Sequence, residues 1–430
     1  MGQRGPSTSR RWLAAAVLAL LAIGISGCQH NSHPAIHASM SVSVQRALFD
    51  TPVSVSVAGL PAGVLTTLTA TAADRAGGTW TSSAQFRSTS AGTVSTSQAS
   101  LAGSYAGTDP MGLFDLMVPP PGDKATAFEP PGAYYDDAVR TAGGYDVTLR
   151  ASVAGRTVAT ATANRQLPGS LGITEHDLRP VGSGIYGDLY LPAATPGPRG
   201  TAARRPGVLI FGGSEGGISV ATNAALYAAH GYPTLALAYF KEPGLPSQLA
   251  NIPLEYFVKA LAVLRSQPGV DPSHVVVQGA SRGGELALLL AASYPKLVNA
   301  VIAGVPSSVV NMGYPDSKLP AWTQHGKPVP EEGIPVERIG GPIMLLCGQQ
   351  DVVWDSCLFT KSVTTELTSN HFRYPVTVRN YPDGGHAVGE PAVYASVAKD
   401  AFDGFGGGLQ ANQVDRADGY ARILTFLASH

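Results

Sequence analysis

The sequence predicts two architectures in series, an antiparallel β-sandwich over about residues 41–170 and then, over 171–430, a mostly parallel sheet wrapped by helices. Three observations carry this. The apolar period is two in the first half: Val53, Val55 and Val57 alternate with small polar residues, as do Tyr145, Val147, Leu149 and Ala151, the pattern of half-buried strands. From about Gly172 it changes to short continuous apolar runs separated by Ala/Leu-rich segments, the pattern of strands covered on both faces. Finally, 50 Gly and 33 Pro among 430 residues, with 44% hydrophobic content, describe a loop-rich chain that can bury more than one core.

Ahead of the sandwich stand Arg4, Arg10 and Arg11, an apolar run from Trp12 to Ile23, and then Ile25-Ser-Gly-Cys28. A basic start, a short hydrophobic stretch and small residues at the cut are the order of an export signal, and the run falls short of the roughly 20 residues that span a bilayer. The ending resembles a bacterial lipobox. That resemblance implies a signal peptide over residues 1–27, lipidation of Cys28, a tether over residues 28–40, and a mature protein anchored to the cell membrane or outer membrane, facing outside the cytoplasm. His30, His33 and His37 fall in that polar tether and read as disordered chain. Removing residues 1–27 takes away three arginines and no acid, moving the formal charge from −1 to −4. With no basic excess and no charge run, nucleic acid is excluded as a partner. Cys347 and Cys357 remain; export permits a disulfide between them, and two separate thiols are equally compatible with the sequence.

The sandwich is read as strands interrupted by frequent turns, with Pro119-Pro-Pro-Gly122 and Pro130-Pro-Gly132 forming an irregular connection. In the second half, Val208–Phe211, Thr234–Ala238, Val275–Val277, Val298–Ile302, Ile343–Leu346 and Val376–Asn380 are the predicted strands. Function in such a sheet lies in the loops at the carboxyl ends of its strands.

Those loops contain the chemistry. Gly279-Ala-Ser281-Arg-Gly283 lies between a strand and an Ala/Leu-rich helix, the setting of a nucleophile elbow, where glycines let strand and helix approach while the serine projects into the cleft. A serine hydroxyl needs a base, and the base an orienting acid. Asp351 follows the strand ending at Cys347, and His386 follows the strand-like Val376–Asn380 within Tyr381-Pro-Asp-Gly-Gly-His386, so the order serine, acid, base is satisfied. His230 at a helix end reads as a dipole cap, His274 opens a strand, and Asp383 reads as a turn former. Two backbone donors are needed for an oxyanion: Arg282, directly after the serine, and Ser214 in Gly212-Gly-Ser-Glu-Gly-Gly217, with Gly213 next in line. Lys followed by Ser/Thr is missing from that glycine loop, so it is not a phosphate loop, and no cofactor or metal is expected. The segment Pro306–Gly341 either caps the cleft or is a surface connection.

Trp80-Thr-Ser-Ser-Ala-Gln-Phe86, Gly103-Ser-Tyr-Ala-Gly-Thr-Asp-Pro-Met-Gly-Leu113, Leu189-Tyr-Leu-Pro192, His230-Gly-Tyr232, Leu235–Phe240, the Ser281 elbow, Tyr381–His386, and Gly406–Gly408 with Asp415 and Phe426 occur in that order. In combination they resemble the acyl-CoA thioesterase and bile acid-CoA:amino acid N-acyltransferase family. The resemblance implies an immunoglobulin-like β-sandwich before an α/β-hydrolase domain, and cleavage of an acyl thioester through an acyl-enzyme. It places Ser281 as nucleophile, Asp351 as acid and His386 as base. The conjugating acyltransferases of the family carry Cys at the nucleophile position; Ser281 implies release of the acyl group to water. The family's CoA substrates are intracellular and usually meet basic side chains, whereas this chain carries an export leader and is slightly acidic. The other functions weighed are an N-acyltransferase, a broader carboxylesterase or peptidase, and a tethered binding protein, and the intact Ser281, Asp351 and His386 set argues against the last.

Overall fold

A computed structural model describes residues 36–130, 143–193, 204–390 and 396–430. The expected leader, Cys28, His30 and His33 lie outside these residues. Among the described residues no helix is long and apolar enough to cross a membrane.

The N-terminal half pairs a three-stranded sheet, ordered Ser39–Val42, Val55–Ala58, Val94–Ser95, with a six-stranded one, ordered Arg46–Leu48, Arg156–Gln166, Gly144–Val153, Leu65–Ala73, Thr79–Arg87, Ala102–Gly103. Alternation does the work here. In Leu65–Ala73 and Thr79–Arg87 every second residue is buried, which brings Leu68, Trp80 and Phe86 inside together with Val147 and Leu149. The indole of Trp80 donates to Asp74 Oδ2 at 2.9 Å, so its one polar atom is satisfied. One pairing departs from the antiparallel expectation. Arg46–Leu48 leaves the small sheet after Ser39–Val42 and runs parallel to Arg156–Gln166 in the large one. Arg165, fully buried, fixes the crossing by donating to the carbonyls of Phe49 and Thr51 at 2.6 and 2.8 Å.

The second half is built on an eight-stranded sheet, beside a small three-stranded one of Ile252–Pro253, Trp322–Gln324 and Lys327–Pro328. The strands of the eight-stranded sheet are β1 Thr174–Leu178, β2 Tyr186–Leu191, β3 Arg205–Phe211, β4 Thr234–Ala238, β5 Val270–Ala280, β6 Ala300–Gly304, β7 Ile343–Gly348 and β8 Val376–Tyr381. They lie in the order β1-β2-β4-β3-β5-β6-β7-β8. The first two pairings are antiparallel and the rest parallel. The apolar runs of β4, β6 and β7 are buried at every position, whereas β8 is an edge with mostly exposed residues. Helices α1 Ala221–Ala229, α2 Leu254–Arg265, α3 Arg282–Ser293, α4 Ser356–Ser369 and α5 Leu409–Ser429 cover it. This is the α/β-hydrolase arrangement after a β-sandwich.

The sheet has a core on each face, and the one holding Val208, Ile210, Ile302 and Met344 is continuous with the sandwich core. Polar ties reinforce that seam. His230, at the end of α1, turns its Nε2 to Asp50 of the sandwich, and the Tyr420 hydroxyl of α5 donates to the same carboxylate oxygen at 2.9 Å. The side chain of His230 therefore joins the two halves rather than capping the α1 dipole, because a buried carboxylate demands hydrogen-bond partners more strongly than an exposed helix end does. Gln413 and Ser396 add donations to the carbonyls of Asp115 and Phe114.

Candidate active site

At the carboxyl end of β5 the chain turns sharply into α3, and Ser281 sits at the turn with φ 56° and ψ −121°. A non-glycine residue there costs about 1–3 kcal/mol and persists because its surroundings over-determine it. The surroundings are close. A Cβ on Gly279 would stand 2.2 Å from the Gly283 carbonyl oxygen, and one on Gly283 2.3 Å from that of Gly212. The two glycines of the elbow motif are thus required by backbone contact, as the sequence pattern predicts.

Asp351 lies in the loop after β7. Its Oδ1 accepts the backbone N–H groups of Val353 and Trp354 at 3.0 and 3.2 Å, and its Oδ2 lies 2.8 Å from His386 Nδ1. With a carboxylate as partner, Nδ1 carries the proton and Nε2 keeps a lone pair. His386 opens a short turn after β8 and is itself buried. Its N–H donates to the Phe405 carbonyl at 2.7 Å, its ring stacks on Phe405 at 5.9 Å, and Trp354 meets it edge-on at 5.6 Å. The acid and base loops touch: a Cβ on Gly348 would stand 2.3 Å from the Gly385 carbonyl oxygen.

Ser281 and His386 line one cavity of about 680 Å³, together with Ser214, Tyr314, Val353 and Phe405. The glycine loop after β3 forms its floor beside the serine, and a Cβ on Gly213 would stand 3.2 Å from that of Ser281. Three side chains hold this loop. The Glu215 carboxylate accepts the Gly213 N–H at 2.9 and 3.0 Å, the Tyr239 hydroxyl is shared between the carbonyls of Gly212 and Gly213 at 2.9 and 2.6 Å, and Lys241 Nζ donates to the Glu215 carbonyl at 2.8 Å. Burial, and then the nearby charge of Glu215, raise the Tyr239 hydroxyl well above its ordinary pKa, so it stays a neutral donor. Of the two amides expected to serve an oxyanion in this loop, that of Gly213 is already engaged by Glu215, and Ser214 lines the cavity. Arg282 begins α3, where first-turn N–H groups have no intrahelical acceptor.

The segment 306–341 reaches the cavity wall through Tyr314. It is anchored through Glu285 of α3, a fully buried carboxylate that accepts from the Asn311 amide N–H, Asn311 Nδ2 and Trp322 Nε1 at 3.1, 2.7 and 2.8 Å and pairs with Arg282. Burial raises the Glu285 pKa, against the pull of Arg282. Cys347 and Cys357 form a disulfide across the acid loop.

Other candidates fall elsewhere. His274 pairs with Asp271 on the surface, and Asp383 is an exposed turn residue. Among the described residues one acidic trio, Glu175, Asp177 and Asp188, is close enough to share a cation, and the Arg179 guanidinium already pairs with two of its members. Glu215, Tyr239, Trp354 and Phe405 were not singled out in the sequence. Glu215 carries the one signal that could have been used, a lone acid inside a glycine run.

Two family models match the chain. The acyl-CoA thioester hydrolase/BAAT N-terminal region matches residues 50–175, and the BAAT/acyl-CoA thioester hydrolase C-terminal model matches residues 252–323 and 319–430. The chain belongs to the acyl-CoA thioester hydrolase/BAAT family. Relatives within the family match nearly end to end. Mouse acyl-coenzyme A thioesterase 6 is 27% identical, covering 90% of this chain and 94% of its own. Human acyl-coenzyme A thioesterase 1 is 28% identical over 90% and 94%, and mouse acyl-coenzyme A amino acid N-acyltransferase 2 is 27% identical over 89% and 96%. Among solved structures, an alpha/beta hydrolase enzyme from a Medee basin deep-sea metagenome library aligns with 60% of this chain and 100% of its own, at 17% identity and a TM-score of 0.42.

Proposed function

We propose that this family member is a serine acyl hydrolase that cleaves an acyl thioester of the acyl-CoA type through an acyl-Ser281 intermediate. The observation that carries the reading is the Asp351–His386 bond at 2.8 Å beside a cavity shared by His386 and the strained Ser281; the thioesterase relatives supply the substrate class.

The proposed reaction gives each of these residues one role. His386 Nε2 takes the Ser281 proton as Oγ attacks the thioester carbonyl. The Asp351 carboxylate stabilises the imidazolium that forms, and the amides of Arg282 and Ser214 receive the oxyanion. Collapse breaks the C–S bond, and His386 returns its proton to the leaving thiolate. Water, deprotonated by the same histidine, then attacks the acyl-serine and releases the acid. Serine rather than cysteine at this position favours hydrolysis over transfer to an amine, because a thioester intermediate is the better donor to nitrogen.

The proposal includes export by the leader at residues 1–27 and anchoring through lipidated Cys28. The disulfide between Cys347 and Cys357 supports it, since such bonds persist in oxidising compartments. The substrate is then a thioester or ester presented outside the cytoplasm.

The test is turnover of short and long acyl-CoA, p-nitrophenyl esters and peptides by the purified protein. Ser281→Ala is expected to lower kcat at least a thousandfold and to abolish an acyl adduct on the peptide holding Ser281. Full turnover by Ser281→Ala refutes the mechanism, and an unmodified Cys28 after cleavage, read by mass spectrometry of the native protein, refutes the anchor.

A further inference from the structure

We propose that the Cys347–Cys357 disulfide is a positioning element for the catalytic acid: when oxidised, it closes the loop carrying Asp351 and Trp354 and holds the carboxylate against His386. The inference rests on the serine-hydrolase reading above. Cys347 is buried in β7 and Cys357 lies in the first turn of α4, with Cα atoms 5.1 Å apart and a sequence separation of 10. Everything this loop gives the site lies between the two sulfurs: the Asp351 bond to His386 and the Trp354 ring against the imidazole.

Hydrogen bonds hold the first half of the loop: the Gln349 N–H donates to the Tyr381 carbonyl at 2.9 Å, Gln350 Nε2 to that of Pro382 at 3.1 Å, and Ser356 Oγ to that of Gly348 at 3.5 Å. Trp354 Nε1 donates to the Val305 carbonyl at 3.0 Å, and the Gln350 N–H to that of Gly384 at 2.9 Å. Packing adds little at the tip, where Val352 and Val353 are 67% and 48% exposed. A base held by a single carboxylate loses effectiveness when that carboxylate wanders by an ångström, and covalent closure at both ends of the loop limits that wandering. Reduction by a dithiol breaks the S–S bond, places one hydrogen on each sulfur and converts the dithiol to its cyclic disulfide. The acid loop between β7 and α4 is then held by its hydrogen bonds alone.

The experiment is a double-mutant cycle on the full chain, with kcat and KM on a p-nitrophenyl ester well below the melting temperature. Cys347→Ala with Cys357→Ala is expected to lower kcat tenfold or more with KM changed less than threefold. In an Asp351→Asn background the same pair of substitutions is expected to change kcat less than twofold, because positioning a side chain that no longer serves the imidazole gains nothing. Equal losses in both backgrounds, or full activity of the disulfide-free protein, overturn the inference. A second route needs no substitution: wild-type protein is reduced with dithiothreitol until alkylation and peptide mapping find both thiols free. The same loss in kcat, reversed on reoxidation, is expected; an unchanged kcat overturns the inference. An inactive Ser281→Ala beside a fully active reduced enzyme removes this inference alone, whereas an active Ser281→Ala removes the parent reading.

Discussion

Replacing Asp351 by Asn swaps a symmetric acceptor for a side chain with one acceptor and one donor, and the site forces a choice between them. Oδ1 accepts two backbone N–H groups, from Val353 and Trp354, while Oδ2 faces His386 Nδ1. If the amide oxygen of Asn takes the two backbone donors, its NH₂ points at Nδ1. The imidazole must then carry its proton on Nε2, where it cannot accept one from Ser281. If the amide is flipped, the productive tautomer is kept, but the NH₂ opposes two N–H groups and leaves both unpaired. Each costs about 1–3 kcal/mol, so the productive arrangement stands roughly 2–6 kcal/mol above the unproductive one and is populated at about 3 × 10⁻² to 4 × 10⁻⁵. Loss of the charge facing the imidazolium adds to this. Asp351→Asn is therefore expected to lower kcat/KM by about 10³ to 10⁴ with the fold intact. Steady-state kinetics on an ester and an acyl-CoA, with ¹⁵N shifts of the His386 ring to read the tautomer, check it. Activity within tenfold of wild type, or an unchanged tautomer, would refute the reasoning.

Tyr239→Phe removes the hydroxyl shared by the Gly212 and Gly213 carbonyls. It is expected to destabilise the protein by about 1–3 kcal/mol and to lower kcat roughly tenfold with KM little changed; chemical denaturation and kinetics on one preparation separate the two effects. Asp415, beside the base-bearing loop at Gly384, has its pKa raised to about 6 by burial first, with Asp383 and Asp418 adding to the shift against Arg379. Its folded-state pKa is the higher one, so its contribution favours the folded state below pH 4 and is lost as the pH rises through about 6. Asp415→Asn should therefore be about as stable as wild type at pH 4 and, after allowance for solvent screening, more stable by about 1 kcal/mol at pH 8. Melts at both pH values decide it, and a pH-independent difference counts against the assignment.

Ser281 and Asp351 were legible because each follows a continuous apolar run, His386 because its glycine-rich loop follows the strand-like Val376–Asn380, and Gly279 and Gly283 because an elbow leaves no room for Cβ atoms. The sandwich strands were legible from their period of two. What escaped the sequence depends on contacts between distant residues. His230 finds Asp50 and Tyr420 in another part of the chain, and nothing near His230 announces them. The grip of Glu215 on Gly213 is local, yet in one dimension it looks like any polar residue in a loop. The disulfide needed the loop between its cysteines to fold back on itself. Segment 306–341 could be read equally as a cap or as a surface connection because Pro and polar residues dominate it, while its Trp322 meets a carboxylate on α3 that nothing nearby in sequence announces.

The seam at Asp50 bears on how such a chain is made. Asp50 is among the first residues of the sandwich to be delivered, and Tyr420 is on the last helix. A chain made N-terminus first has its early strands before the helix that completes this seam exists. The Asp50 carboxylate gains the Tyr420 hydroxyl only once α5 is in place. The same helix serves the cleft, where Asn412 Oδ1 accepts the Gly385 N–H beside His386 at 2.9 Å, so a chain truncated before α5 would lose a partner in each half at once.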